Sequence, residues 1–202
     1  MAGILLKAKL FNGVKKINMS LVYLIVAAIV LAVVWAVFSY NTLITLTNRS
    51  KEAWSDIDVQ LKRRHDLIPN LIETVKGYMA HESNVLEDVT KARAQALSAQ
   101  NLTEKDSAEN QLSHTLKSLF AVSENYPQLK ASENFMELQR ELADTENKIQ
   151  AARRFYNANV RDLNIQIEKF PPSLIAQMFH FSKMELFGLE NPAEKETPKV
   201  SF

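Results

Sequence analysis

Leu21 to Phe38, "LVYLIVAAIVLAVVWAVF", is a run of 18 consecutive apolar residues, and no charge interrupts the chain from Ile17 to Asn48. As an α-helix rising 1.5 Å per residue the run would reach ~27 Å, close to the ~30 Å hydrocarbon thickness of a bilayer. It predicts a membrane-spanning helix over residues 21–40, anchored between Leu21 and Phe38, with lipid as its first partner. A cleaved signal peptide is the competing reading. Its apolar region is shorter, roughly 7–15 residues, and ends at small residues, whereas this run continues into "SYNTL". The reading adopted is an uncleaved, single-pass anchor.

The flanking basic residues give a direction. Residues 1–20 carry Lys7, Lys9, Lys15 and Lys16 with no acid, and the basic residues of 41–60 are Arg49 and Lys51. The side richer in Lys and Arg stays in the cytoplasm. This predicts a basic cytoplasmic N-terminus over 1–20 and a domain outside the cytoplasm, in an inner or plasma membrane.

Beyond the anchor, the chain has to fold with few turn-forming residues. The whole chain of 202 residues has only 4 Gly and 6 Pro, and Ala, Leu, Glu, Lys and Gln dominate long stretches, so helices are favoured over hairpins. The fold class expected is all-α. Absence of cysteine excludes disulfides, thiolate zinc sites and cysteine nucleophiles. A net charge of +1 argues against a dedicated nucleic-acid binder, which concentrates positive charge to neutralise phosphates.

Helical periodicity then sets the organisation. Trp54, Ile57, Leu61, Arg64, Ile68, Leu71, Val75 and Tyr78 are spaced by three and four, so they form one stripe on a helix. Pro69 inside it removes the donor for the carbonyl of His65 and predicts a kink. A break is expected near Gly77, with restarts marked by Asn84/Glu87 and Thr103/Asp106 at capping-box spacing. A weaker stripe runs through Val85, Val89, Ala92 and Ala96, and a third helix carries Leu112, Leu116, Leu119 and Phe120. Ser132 is placed to cap a long last helix striped by Phe135, Leu138, Leu142, Thr145, Ile149, Ala152, Tyr156, Asn159 and Leu163, which ends at "FPPS" because proline cannot continue it. Short connections make neighbours antiparallel. The expectation is an antiparallel bundle of about four long helices over 41–187, the first running out of the membrane helix, followed by a polar flexible tail over 188–202. The apolar segment Leu174–Phe187 is expected to pack on the bundle or on a bilayer.

Chemistry is sparse. His65 and Asp66 are adjacent on a helix and point about 100° apart, so they make a poor catalytic dyad. Asp58 and Lys62 have the acid-first i,i+4 order of a solvated face. Lys62, Arg63 and Arg64 lack the interleaved aromatics of a base-binding surface. The residues three positions before the histidines are Lys62, Tyr78, Gln111 and Gln177, so the Glu-x-x-His pairs of a di-iron bundle are missing and no metal or other cofactor is expected. One residue stands out, because Arg64 interrupts an apolar seam where an unpaired charge would be costly. Asn157 and Asn164 share a face of the last helix, and the three together are read as a structural or partner-binding notch.

With these residues in view, the chain resembles the LemA family. The similarity lies in "NRSKEAWSDIDVQLKRRHDLIPNLIETVKGY", "YPQLKASENF" and "ARRFYNANVRDLNIQIEKFPPSLIA", in that order behind an N-terminal anchor, and covers roughly residues 20–190. The chain departs from the family pattern at Leu163, where a second Tyr-Asn is common, and at "FHFSKMELF", where Phe-Gly-Phe is more usual. The resemblance implies a membrane-anchored antiparallel helical bundle of bacteria without an established enzymatic activity. The function expected is a non-enzymatic scaffold or adaptor working through protein partners or as a homo-oligomer, without nucleic acid. The alternative is a bundle that senses a ligand or signal through an apolar pocket with convergent polar groups.

Overall fold

The structure, a computed structural model, describes residues 19–79 and 81–188. The four N-terminal lysines and nearly all of the expected tail lie outside the described residues. Six helices and no strand occur among them: α1 (Met19–Lys76), α2 (Ser83–Ser98), α3 (Leu102–Ser123), α4 (Pro127–Lys130), α5 (Glu133–Glu168) and α6 (Pro172–Met178). The all-α expectation holds, and α1 is a helix long and apolar enough to cross a membrane.

Two units build the chain. The described residues of the larger one span 46–165 and 183–188. Its part of α1 continues through Pro69 and stops at Lys76, where Gly77 follows and the N–H groups of Tyr78 and Met79 both reach the Val75 carbonyl, each at 3.0 Å. The next helices begin elsewhere than the capping-box spacings suggest. Glu82 occupies the N-cap of α2 without a side-chain bond. Asn101, not Thr103, caps α3: its backbone is extended, its side chain accepts from Glu104 N–H at 2.8 Å, and Glu104 returns a bond to Gln100 N–H at 3.2 Å. "NLTE" has the capping-box spacing with asparagine in the serine position, and the Glu104 carboxylate accepts from the residue just before the cap.

Contacts fix the helix directions. Along α1 and α3 the partners rise together, Asp58 with Lys105 and Arg64 with Glu109, so these two helices are parallel. Between α3 and α5 they run oppositely, Arg153 with Asn110, Ser113 with Glu146 and Phe120 with Phe135. The result is an up-down-up-down bundle.

Two apolar clusters fill it. One gathers Ile68, Leu71 and Val75 of α1, and Met79 just beyond its end, with Val89, Leu112, Leu119, Phe135 and Leu142. The other gathers Ala53, Ile57 and Leu61 with Ile149, Tyr156, Val160 and Phe187. The predicted seams are seen with local shifts: Ala53 and Met79 are buried at the ends of the α1 stripe while Tyr78 is exposed, and on α5 Arg153 and Val160 are buried where Ala152 and Asn159 were expected.

The smaller unit comprises, among the described residues, 19–45 and 166–182. The side chains of Leu21 and Phe38, the ends of the expected anchor, are 52% and 71% exposed. Pro172 opens α6, and its C-terminus is closed by the Phe181 N–H to the Ala176 carbonyl at 2.9 Å and the His180 N–H to the Gln177 carbonyl at 3.3 Å. That pair of bonds is a Schellman closure, which needs a residue with positive φ at its second-to-last place. His180 occupies it at φ 59°, the position at which the resemblance expects glycine. An L-residue in this conformation costs roughly 1–2 kcal/mol. His180→Gly should therefore slow exchange of the Phe181 amide, although glycine's looser unfolded chain offsets ~0.5–1 kcal/mol of the gain. His180→Val should speed it, and equal exchange in parent and both variants would refute the strain.

Candidate functional site

Between the two apolar clusters lies a layer of buried charge. Arg64, 1% exposed, comes from α1; Glu109, fully buried, from α3; and Glu146 from α5. The Nη2 of Arg64 donates to the Glu109 carboxylate and, at 3.4 Å, to the Glu109 carbonyl. Its Nη1 donates to Glu146 at 2.6 Å and to the Ser113 hydroxyl at 2.8 Å, and Ser113 itself donates to Glu146 at 3.2 Å. Arg64 Nε has no hydrogen-bond partner among the described residues. One guanidinium thus joins three helices, which a fork of donors can do and a lysine ammonium cannot.

His65 is the next member. Its Nε2 lies 2.9 Å from the second carboxylate oxygen of Glu109, while Nδ1 is buried and unpartnered. Ionised carboxylate oxygens only accept, so Nε2 carries the hydrogen of this bond. The His65 carbonyl, orphaned by Pro69, accepts from Arg93 Nε of α2 at 2.9 Å. Burial works to raise the Glu109 pKa, but the His65 hydrogen bond and the Arg64 charge outweigh it and hold the carboxyl below its ordinary value. Glu146 is likewise lowered, since bonds from Gln150 and Ser113 and the Arg64 charge exceed the effect of burial. Arg153 is lowered by burial despite Asp106 at 3.6 Å; it donates to Asn110 at 3.0 Å and covers the Phe187 ring at 4.4 Å.

The structure does not bring Arg64 together with Asn157 and Asn164. Both asparagines clamp the extended segment 183–187 by its backbone. Asn157 donates to the Phe187 carbonyl at 2.7 Å and accepts from its N–H at 2.8 Å. Asn164 does the same to Met184, at 2.9 and 3.0 Å, and the Tyr156 hydroxyl donates to the Glu185 carbonyl at 2.9 Å. Each carboxamide pairs with one residue as a neighbouring strand would. The side chains follow, with Phe187 buried against Trp54 at a ring distance of 5.8 Å. Gly188 then turns at φ 73°, where a Cβ would stand 3.2 Å from Asp106.

Beside the charged layer is a groove of about 290 Å³ bounded by Leu116, Phe120, Leu142 and Ala143, with Arg64, Ser113 and Glu146 at one side. Among the described residues, no group of three or more His, Asp and Glu is placed to hold a metal ion.

Sequence reading found Arg64 and missed Glu109. A signal existed: the α3 stripe extended backward from Leu112 by three places arrives at Glu109, so two seams each carry one charge of opposite sign. For the asparagines the shared face was legible, but their partners are backbone groups, which leave no side-chain pattern.

Comparison with known proteins gives one family and several relatives. The model of the LemA family matches residues 53–202. Magnetosome protein MamQ 2 of Paramagnetospirillum magneticum is 24% identical over 208 residues, covering 90% of this chain and 76% of the relative. Magnetosome protein MamQ of Magnetospirillum gryphiswaldense is 23% identical, covering 80% and 68%. Protein LemA of Metamycoplasma hominis is 26% identical over 148 residues, covering 73% and 68%.

Two experiments probe the site. Arg64→Leu leaves Glu109 buried with His65 alone, so it should destabilise the bundle by about 3–5 kcal/mol, while adding Glu109→Leu should recover most of the loss. In the parent, the stabilisation from the lowered Glu109 is complete above the ordinary glutamate value of about 4.3 and is lost as pH falls through the lowered one. In Arg64→Leu the carboxyl loses the Arg64 charge and keeps only His65 against burial, so its pKa rises from the parent's, and the deficit should shrink as pH falls. Denaturant unfolding against pH reads both; a single variant as stable as the double would refute the pairing. For the clamp, Asn157→Leu should cost about 2 kcal/mol, from two lost bonds, and speed amide exchange at Phe187 without altering the amides of α3.

Proposed function

The chain belongs to the LemA family, and on that premise we propose that it is a single-pass membrane protein whose four-helix domain is a non-enzymatic scaffold or adaptor for envelope proteins. One observation carries this reading: the central carboxylate of the charged constellation, Glu109, is engaged on both oxygens by Arg64 and His65. A general acid or base works with a pKa near the operating pH and an open path to substrate. Glu109 is instead fully buried and held ionised by Arg64 and His65, which suits a group that locks helices together. Relatives named for the magnetosome and a relative named only for its family match most of the same chain, as a scaffold reused in different settings would. The basic residues Lys7, Lys9, Lys15 and Lys16 support a cytoplasmic N-terminus and an extracytoplasmic bundle.

The groove beside Arg64 favours a second reading, in which the bundle senses a small ligand. Its volume of about 290 Å³ is at the lower edge of the ~300–1,000 Å³ common for ligand sites.

Mild solubilisation of the full chain at native abundance separates the two. The scaffold predicts a protein partner, or a second copy, in fixed stoichiometry and an unoccupied groove. A monomer carrying a small molecule, released by Leu142→Trp, would replace it with the sensor. Because the parent has no cysteine, orientation is read independently from Leu5→Cys and Lys148→Cys: an impermeant thiol reagent applied outside intact cells should label only the second.

A further inference from the structure

In the smaller unit, α6 is apolar on two opposed faces. Pro172, Ile175 and Ala176 are buried. On the other side Leu174 and Met178, four residues apart, are 53% and 68% exposed, and they are flanked by Phe170 and Phe179 at 76% and 52%. A bare set of this size is costly in water and needs a cover. The same unit contains the exposed apolar stretch of α1, and one contact locates α6 along it. Tyr40 packs against Phe179 and Phe181 with ring distances of 4.7 and 5.9 Å. Tyr40 lies two residues beyond Phe38, where the apolar run ends, or ~3 Å further along the helix. Tyrosine at that place belongs to the aromatic belt at the level of lipid headgroups.

We propose that the bare face of α6, made by Phe170, Leu174, Met178 and Phe179, is a second membrane contact, seated in the interfacial layer of the bilayer beside the point where α1 emerges. The occupant is lipid, because the surface is continuous through Tyr40 with the one that α1 gives to lipid. Exposed Lys169 next to Phe170 suits this depth, since a lysine stem lies along acyl chains while its ammonium reaches the headgroups. An interfacial helix buries its apolar side only ~5–10 Å deep, which matches a helix of two turns held against Tyr40. A spanning helix with such a foot has two points of attachment to the bilayer.

The inference rests on α1 crossing the bilayer, and the test reads both. In the full chain reconstituted into phosphatidylcholine and phosphatidylglycerol vesicles, an environment-sensitive fluorophore is placed singly at Val30→Cys, Leu174→Cys, Met178→Cys and Lys148→Cys. All four parent residues have exposed side chains, so labelling disturbs no core. Lipids carrying a nitroxide near the headgroup should quench labels at 174 and 178 several-fold more than the label at 148, and deep nitroxides should quench the label at 30. Labels at 174 and 178 that report water, like that at 148, overturn the foot and leave the anchor standing. A blue-shifted but unquenched pair means that protein, such as a second copy, covers the face, and also overturns it. An unquenched label at 30 removes the anchor and the foot together.

Discussion

The bundle depends on one buried charge and its partners. Burying an isolated guanidinium or carboxylate would cost several kcal/mol, and the pair is tolerable only in a geometry that satisfies both. Arg64, Glu109, Ser113 and Glu146 come from three helices and meet at one level, with apolar clusters above and below. Those clusters of leucine, isoleucine and valine would accept more than one helix register, because side chains of similar size interdigitate after a shift of one turn. The charged layer would not. Sliding α3 by a turn removes Glu109 from both Arg64 and His65 and leaves it fully buried. Packing therefore supplies adhesion, and the polar layer selects which packing.

The asparagine clamp solves a different problem. An extended segment against a helix cannot find backbone partners there, because the helix spends its own N–H and C=O groups internally. Asn157 and Asn164 supply a donor and an acceptor each, seven residues apart on α5, to residues three apart on the segment. Two helical turns advance ~10.5 Å and three extended residues about 10 Å, so the two spacings match. The bonds go to backbone alone, and specificity is left to Met184 and Phe187, whose side chains pack on the Trp54 cluster. Leu163, where the resemblance expects a tyrosine, is buried without a hydroxyl, while Tyr156 retains its bond to the segment.

Much of this architecture was legible in the sequence because it derives from period and breakers. The apolar run, the four helices, their order and most buried positions came from three- and four-residue spacing and from Gly77 and Pro171–Pro172. The shifts on α5 arise where periodicity allows either of two neighbours: at 152 or 153 hydropathy favours the alanine, yet Arg153 is buried by reaching Asn110, Asp106 and the Phe187 ring. Glu109 was readable in the same way as Arg64, as a charge on a stripe, and pairing the two opposite interruptions would have located the layer. The clamp was not readable. A carboxamide on a helix face announces a hydrogen bond without naming its partner, and a backbone partner in an irregular segment has no residue type to search for.

Pro69 shows how a local defect becomes part of this design. Proline lacks the N–H that would reach the carbonyl four residues back, and that carbonyl belongs to His65, beside the residue that organises the core. An orphaned acceptor inside a protein costs about as much as a lost hydrogen bond. Arg93 of α2 fills the place, donating from Nε at 2.9 Å. The fourth helix is thereby joined to the layer that already links the other three, although two of the four residues in its own stripe of Leu86, Val89, Ala92 and Ala96 are alanine. Alanine-rich contacts allow close approach but bury little area, so a charged donor on a fixed carbonyl adds the positional selection that the stripe lacks. The backbone hydrogen bond that Pro69 leaves unmade frees the carbonyl of the residue next to Arg64, a docking point for α2 at the level where register is decided.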